Sequence, residues 1–148
     1  MKQFKWRLQR VLDVKVKEEQ IRKSELIAIT ERLAQARGEL LDLKRALDEI
    51  ISDLVGTNPK RRLSEQEFFL RYSITTDEQI RANEKRIAAL NIEREAKTAE
   101  LMKVRQLKEG LEKLRTESKA KFMEEQEKAE QNELNEIATV RFARAHPA

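Results

Sequence analysis

LIAITERLAQARGELLDLKRALDEIISDL, residues 26–54, carries apolar side chains at Leu26, Ile29, Leu33, Ala36, Leu40, Leu43, Leu47, Ile50 and Leu54. The steps alternate between three and four residues, an average of about 3.5. That spacing keeps one narrow stripe of an α-helix turned toward a partner helix. A strand would need period two, and an ordinary amphipathic helix a wider stripe. The core of this chain is therefore another helix. The stripe fixes architecture but names no chemistry, because a coiled coil can serve as rod, tether, axle or dimerisation handle.

Composition agrees with helix-on-helix packing. Of the 148 residues 39% are charged and only 5% aromatic, too little bulky apolar matter for layered elements around a thick core. Only three glycines and two prolines interrupt the chain, so long helices are unobstructed. The absence of cysteine excludes a disulfide framework or a thiolate metal site and fits a reducing compartment. The basic start is followed by no apolar h-region and no stretch long enough to span a bilayer, so the expectation is a soluble, cytoplasmic protein.

The breaks cluster in one place. Gly56 suits a left-handed C-cap, Asn58 and Pro59 cannot continue a helix, and Lys60, Arg61 and Arg62 are polar. Ser64 with Glu67 forms a capping box, and Leu63 with Phe68 a hydrophobic staple. The expected domain is one all-α antiparallel two-helix coiled coil over residues 1–148, with helix 1 at about 3–55, a turn at 56–63 and helix 2 at about 64–144. At a rise of about 1.5 Å per residue these helices measure about 80 Å and about 120 Å. Ile74, Thr75 and Thr76 are β-branched, and Thr76 with Gln79 offers a second cap, so helix 2 either restarts near residues 73–77 or runs through.

In helix 2 the register set by Ile87 and Leu90 runs back to Ile80 and forward through Arg94, Lys97, Leu101, Val104, Lys108 and Leu111. Three cations thus occupy seam positions, from which long side chains can snorkel outward. Pairing about a turn near residue 60 puts Leu47 near Ser73, Leu33 near Ile87 and Leu12 near Lys108, and leaves helix 2 without an intramolecular partner beyond about Lys121. A lone helix of that length is marginal in water. This overhang is a candidate binding element, with a passive solvated tail as the plain alternative.

The two chain ends differ in charge. Residues 1–23 hold eight cations against three carboxylates, a net +5, while residues 116–136 hold seven glutamates against three lysines, a net −4. Antiparallel pairing brings these stretches together. On a helical wheel Phe4, Leu8, Val11 and Leu12 share one side and Trp6 points away.

Catalysis finds no support. There is no phosphate-binding Gly-rich loop, no nucleophile placed with His and Asp, and no metal constellation; the single histidine, His146, stands beside Pro147 at the chain's end. Carboxylates on exposed helix faces ordinarily just solvate the helix, and a catalytic role would need a pocket to shift a pKa. A basic-zipper DNA reader is disfavoured because Asp13, Glu18 and Glu19 interrupt the basic run and no Asn stands among the early basics. A lipid-surface start using Phe4 and Leu8 would rest on a short apolar face whose residues the seam already explains.

FKWRLQRVLDVKVKEE, from Phe4, and LNEIATVRFAR, from Leu134, resemble the two ends of the FliJ family of flagellar export proteins. Members begin with an aromatic, Arg-Leu, a hydrophobic pair, then Lys and Glu. They close on Leu-Asp-Glu-hydrophobic-Ala, where Asn135 here replaces the usual Asp. Chain length, unequal helices and a short central turn match as well; stalk proteins of virulence type III secretion, the YscO class, look similar. The resemblance implies a non-enzymatic, monomeric stalk, without cofactor, metal or nucleic-acid partner, at the inner-membrane export apparatus. Both termini would enter the hexameric export ATPase FliI and promote its assembly and activity, and the chain would also contact the export-gate protein FlhA and export chaperones. Mapped onto this chain, Phe4, Trp6, Leu8, Arg10 and Val11 with Leu134, Glu136, Ile137, Arg141 and Phe142 form the inserted end. The rings of Phe68, Phe69 and Tyr72 face the gate, or else pack ordinarily on Ile50, Ile51 and Leu54. A virulence-system stalk or a generic coiled-coil tether are the alternative readings.

Overall fold

Two helices, α1 (Gln9–Val55) and α2 (Arg62–Ala145), are the only regular elements among the described residues, 2–56 and 62–146 of a computed structural model. They run antiparallel and pack against each other, giving an all-α hairpin. Contacts divide the chain into two compact units. Residues 20–102 form one, and residues 1–19 with 103–148 form the other.

In the unit of residues 20–102 the quoted stripe of α1 is the buried one. Ile29, Leu33 and Ala36 are shielded from solvent, with Leu33 1% and Ala36 0% exposed, while Leu26, Leu40, Leu43, Leu47, Ile50 and Leu54 are half-buried. From α2 the facing residues are Thr76, Ile80, Asn83, Ile87, Leu90, Arg94, Lys97 and Leu101, again at steps of three and four. Leu33, Ala36 and Leu90 make one apolar cluster, and Ile87 packs on it, as the expected register requires. Apolar burial of this kind contributes about 25 cal/mol per Å² removed from water. Two polar residues, Thr76 and Asn83, share that burial.

Helix α2 runs through residues 73–77 without a restart. Ser73 Oγ donates to the Leu70 carbonyl at 2.9 Å and Thr75 Oγ1 to the Arg71 carbonyl at 3.2 Å, so these hydroxyls bond back into their own helix instead of capping a new one. Thr76 is turned into the seam, where burial holds it helical.

Three local expectations are corrected. Gly56 is not left-handed: no described residue has a positive φ, and its N–H continues the helical pattern by donating to the Ser52 carbonyl at 3.3 Å. Ser64 lies inside the first turn of α2, which begins at Arg62 instead of about 64, so it does not precede the helix as a cap. The expected breakers Asn58, Pro59, Lys60 and Arg61 lie outside the described residues, as does Pro147.

The third correction concerns the start of α1, at Gln9 instead of about residue 3. Residues 2–6 are irregular and 7–8 form a turn in which the Trp6 carbonyl accepts the Gln9 N–H at 3.2 Å. The cause is local charge and chemistry. Lys2, Lys5 and Arg7 would crowd the positive end of the helix dipole, and no Ser, Thr, Asp or Asn is present in residues 1–8 to cap it. Phe4 and Trp6 therefore do not lie on a helical wheel, and Trp6 is half-buried instead of pointing away from the protein.

In the unit of residues 1–19 and 103–148 the seam is made by Leu12 of α1 and Val104 of α2, both buried, with half-buried Leu8, Leu111, Arg115, Ser118 and Phe122. From residue 127 to 146 every residue of α2 is exposed.

Candidate functional site

The N-terminal segment is held on α2 by aromatic and cation contacts. The Phe4 and Phe122 ring centroids are 5.5 Å apart with the planes tilted by 51°, and the Arg115 guanidinium lies 5.6 Å from the Phe4 centroid. Arg115 Nε also donates to Gln9 Oε1 at 2.8 Å, while Gln9 Nε2 donates to Asp13 Oδ1 at 3.0 Å. These contacts place Phe4, Trp6 and Arg10 around one cleft, which Lys5, Arg7, Gln9 and Arg115 complete. Leu8 is half-buried in the seam and Val11 exposed beside it.

Along α2 the second group of expected residues is open to solvent. Leu134, Ile137 and Phe142 are large apolar side chains left exposed, and Glu136 and Arg141 are exposed beside them. Phe142 stacks on His146, centroids 4.6 Å apart. The N-terminal group and this group do not meet. Phe4 is anchored at Phe122, and Leu134 lies twelve residues further along α2, about 18 Å at a rise of 1.5 Å per residue.

In the unit of residues 20–102, Phe68 and Tyr72 stack at 6.1 Å with planes 20° apart, and Phe69 is half-buried. The rings divide their labour. Phe69 sits in the seam, while Phe68, 64% exposed, borders a shallow cleft with Ile50, Leu54, Asp53 and Glu65.

Charge arrangement departs from the expected attraction between the basic start and the acidic stretch. Among the described residues, the one ion pair made by residues 116–136 is internal, Lys128 with Glu124 at 3.5 Å. Inter-helix pairs instead join α2 cations to α1 carboxylates. Glu19 takes Lys108 at 2.7 Å, through an oxygen closed to solvent, and Arg105 at 3.6 Å. Glu25 takes Lys97 at 3.2 Å, Glu39 takes Arg86 at 3.6 Å, and Arg22 meets Glu100 at 3.1 Å in the opposite sense. The Lys108 ammonium, with Arg105 adding to it, holds Glu19 below the ordinary carboxylate range, and Lys97 followed by Arg22 does the same for Glu25. Glu19 in turn raises Lys108, and Glu25 with Glu100 raises Lys97. Two of the three seam cations are thereby accounted for: each neutralises a carboxylate at the edge of the stripe.

Arg115 and Phe122 belong to this site although composition did not single them out. Their signal was available, since Leu111, Arg115, Ser118 and Phe122 continue the three-and-four spacing of the helix 2 seam. No group of three metal-binding side chains occurs among the described residues, and none of their helices is long and apolar enough to cross a membrane.

No curated protein and no solved structure matches the chain. The model of the family described as flagellar FliJ protein matches residues 4–146, from the aromatic that anchors the N-terminal segment to the histidine stacked on Phe142. The chain belongs to the FliJ family, structural components of the flagellar protein export apparatus.

Proposed function

We propose that this chain is a non-enzymatic stalk and assembly factor that inserts its terminal end into the hexameric export ATPase, promotes ring assembly and ATP hydrolysis, and links the ring to the export gate and to export chaperones. The observation that carries the reading is the exposed stretch of α2 from residue 127 to 146, which keeps Leu134, Ile137 and Phe142 uncovered within a family of export components. Large apolar side chains left in water on a helix mark a surface that a partner covers. Phe4, Trp6, Leu8, Arg10 and Val11 form a second contact zone about 18 Å back along α2, so the ring would be met at two depths. Mixed charges around both zones favour shallow, exchangeable contacts with six similar subunits. The Phe68 and Tyr72 stack, with Phe69 beside it, is the proposed gate contact.

The test is the double variant Trp6→Ala, Phe142→Ala, titrated against the export ATPase of the same flagellar system. Both side chains lie outside the buried stripe, so the thermal melt should stay within about 0.5 kcal/mol of the parent. Affinity and stimulation of ATP hydrolysis should fall about tenfold, the scale of two modest interface anchors. Parental affinity with parental stimulation would remove the ends from the ring-binding surface.

A further inference from the structure

The stripe of α1 is nearly uniform. Between residues 26 and 54 every seam position carries Leu or Ile except Ala36. A partner helix could therefore be seated one heptad up or down with little change in apolar contact, and by apolar contact alone a second copy of α1 would pack as well as α2. Nothing on α1 alone chooses. Within the stripe, the alignment has to be chosen by α2.

Asn83 is the residue on α2 that can make it. It occupies a seam position, is 8% exposed, and donates through Nδ2 to the backbone carbonyl of Ala36 at 3.3 Å. Ala36 is wholly covered, and its single methyl group is what allows the amide to reach the main chain behind it. Moving α2 by seven residues would bring Asn83 opposite Ile29 or Leu43. A branched side chain would then stand between the amide and any helix carbonyl, and a buried donor would lose its acceptor, which costs far more than the bond itself contributes. Pairing α1 with a second α1 would offer no amide for Ala36 at all.

We infer that Asn83 and Ala36 form a register key: one buried amide facing the one small residue of the stripe selects a single alignment of α2 on α1 and adds to the preference for α2 over another copy of α1. Buried polar residues in coiled-coil seams specify register and oligomer state at some cost in stability, and here the specifying pair is asymmetric, a side chain on one helix and a bare carbonyl on the other. The ion pair of Arg86 with Glu39 lies in the selected alignment but is half in solvent, so it follows the register without determining it.

The chain has no cysteine, so introduced pairs report alignment cleanly. Glu39→Cys with Arg86→Cys reads the observed register, and Glu39→Cys with Gln79→Cys or with Glu93→Cys reads the two heptad-shifted ones. In the parental background, oxidation should close the first pair, with the shifted pairs at least about tenfold slower, the low end of what a stranded buried amide is worth. Asn83→Leu should keep its helical circular dichroism yet close the shifted pairs, or form disulfide-linked dimers, about tenfold faster than the parent. Ala36→Leu, which blocks the carbonyl while leaving Asn83 in place, should give the same outcome by the opposite route. If both variants remain monomeric and close only the 39–86 pair, the key does not exist. Loss of helical signal in Asn83→Leu would also overturn it, by making Asn83 a folding residue instead of a selector.

Discussion

Leu33 and Leu41 are eight residues apart on the same helix and chemically identical, yet one is sealed and the other is half in water. Their difference is the seam, and it sets a quantitative expectation. Leu33→Ala removes methylenes from the most enclosed leucine of the α1 stripe and leaves a cavity against Ile87 and Leu90, so it should cost about 2–4 kcal/mol in a urea melt. Leu41→Ala should cost less than about 1 kcal/mol, because its side chain already meets solvent. Equal losses would mean that the stripe is not the core. At this scale the sequence was informative wherever a side chain's role follows from its spacing alone, as for Leu33. It was silent where the role depends on a distant residue. Phe4 meets Phe122 and Arg115 of α2, and nothing within the first eight residues announces those partners.

Along the helices, burial and charge act on different stretches. The apolar stripe from Leu26 to Leu54 is flanked on its N-terminal side by Glu19 and Arg22, whose partners on α2 are Lys108 and Glu100. Glu19 and Glu25 sit below their ordinary range, so their ion pairs add stability above the pKa that glutamate has in the unfolded chain. That stability is lost as pH falls through the lowered folded value. Lys97 and Lys108 sit above theirs, so their contribution is present below the unfolded lysine pKa and is lost as pH rises through the raised folded value. The melting temperature should therefore be flat across neutral pH, and decline below about 4.3 and above about 10.4. Adding salt at neutral pH should lower it slightly, since these pairs are partly exposed and screened. A melt indifferent to acid would show that the pairs contribute nothing. The α2 register was legible from Ile80, Ile87 and Leu90, and the three seam cations with it. The specific pairings were not, because periodicity locates a charge on a face without choosing among the carboxylates within reach. For the same reason Asn83, between Ile80 and Ile87, was given no place in the seam: counting apolar residues assigns no role to a polar one.

For the whole chain, both the antiparallel course and the membership in the FliJ family rest on features spread from residue 4 to residue 146. The fold could be read from one helix's spacing, whereas the candidate site could be read only through resemblance at the two ends, since exposed Leu134, Ile137 and Phe142 look in sequence like any helix tail. Chain reversal through the short connection between Val55 and Arg62 makes α2 the partner that α1 meets first, at an effective concentration set by that connection, in the millimolar range or above for a short linker. A second copy of α1, supplied at micromolar protein, competes at a large disadvantage even before the polar residue at Asn83 is considered. Folding should consequently be unimolecular. The melting temperature should not move when protein concentration is varied about a hundredfold, because only a chain that associates on folding gains stability from mass action. Raising the concentration a hundredfold would add about 2.7 kcal/mol per mole of dimer to an obligate dimer, a shift easily resolved by circular dichroism. A melting temperature that climbs with concentration would mean that α1 pairs between chains, and the ends proposed to enter the ATPase would then belong to a different assembly.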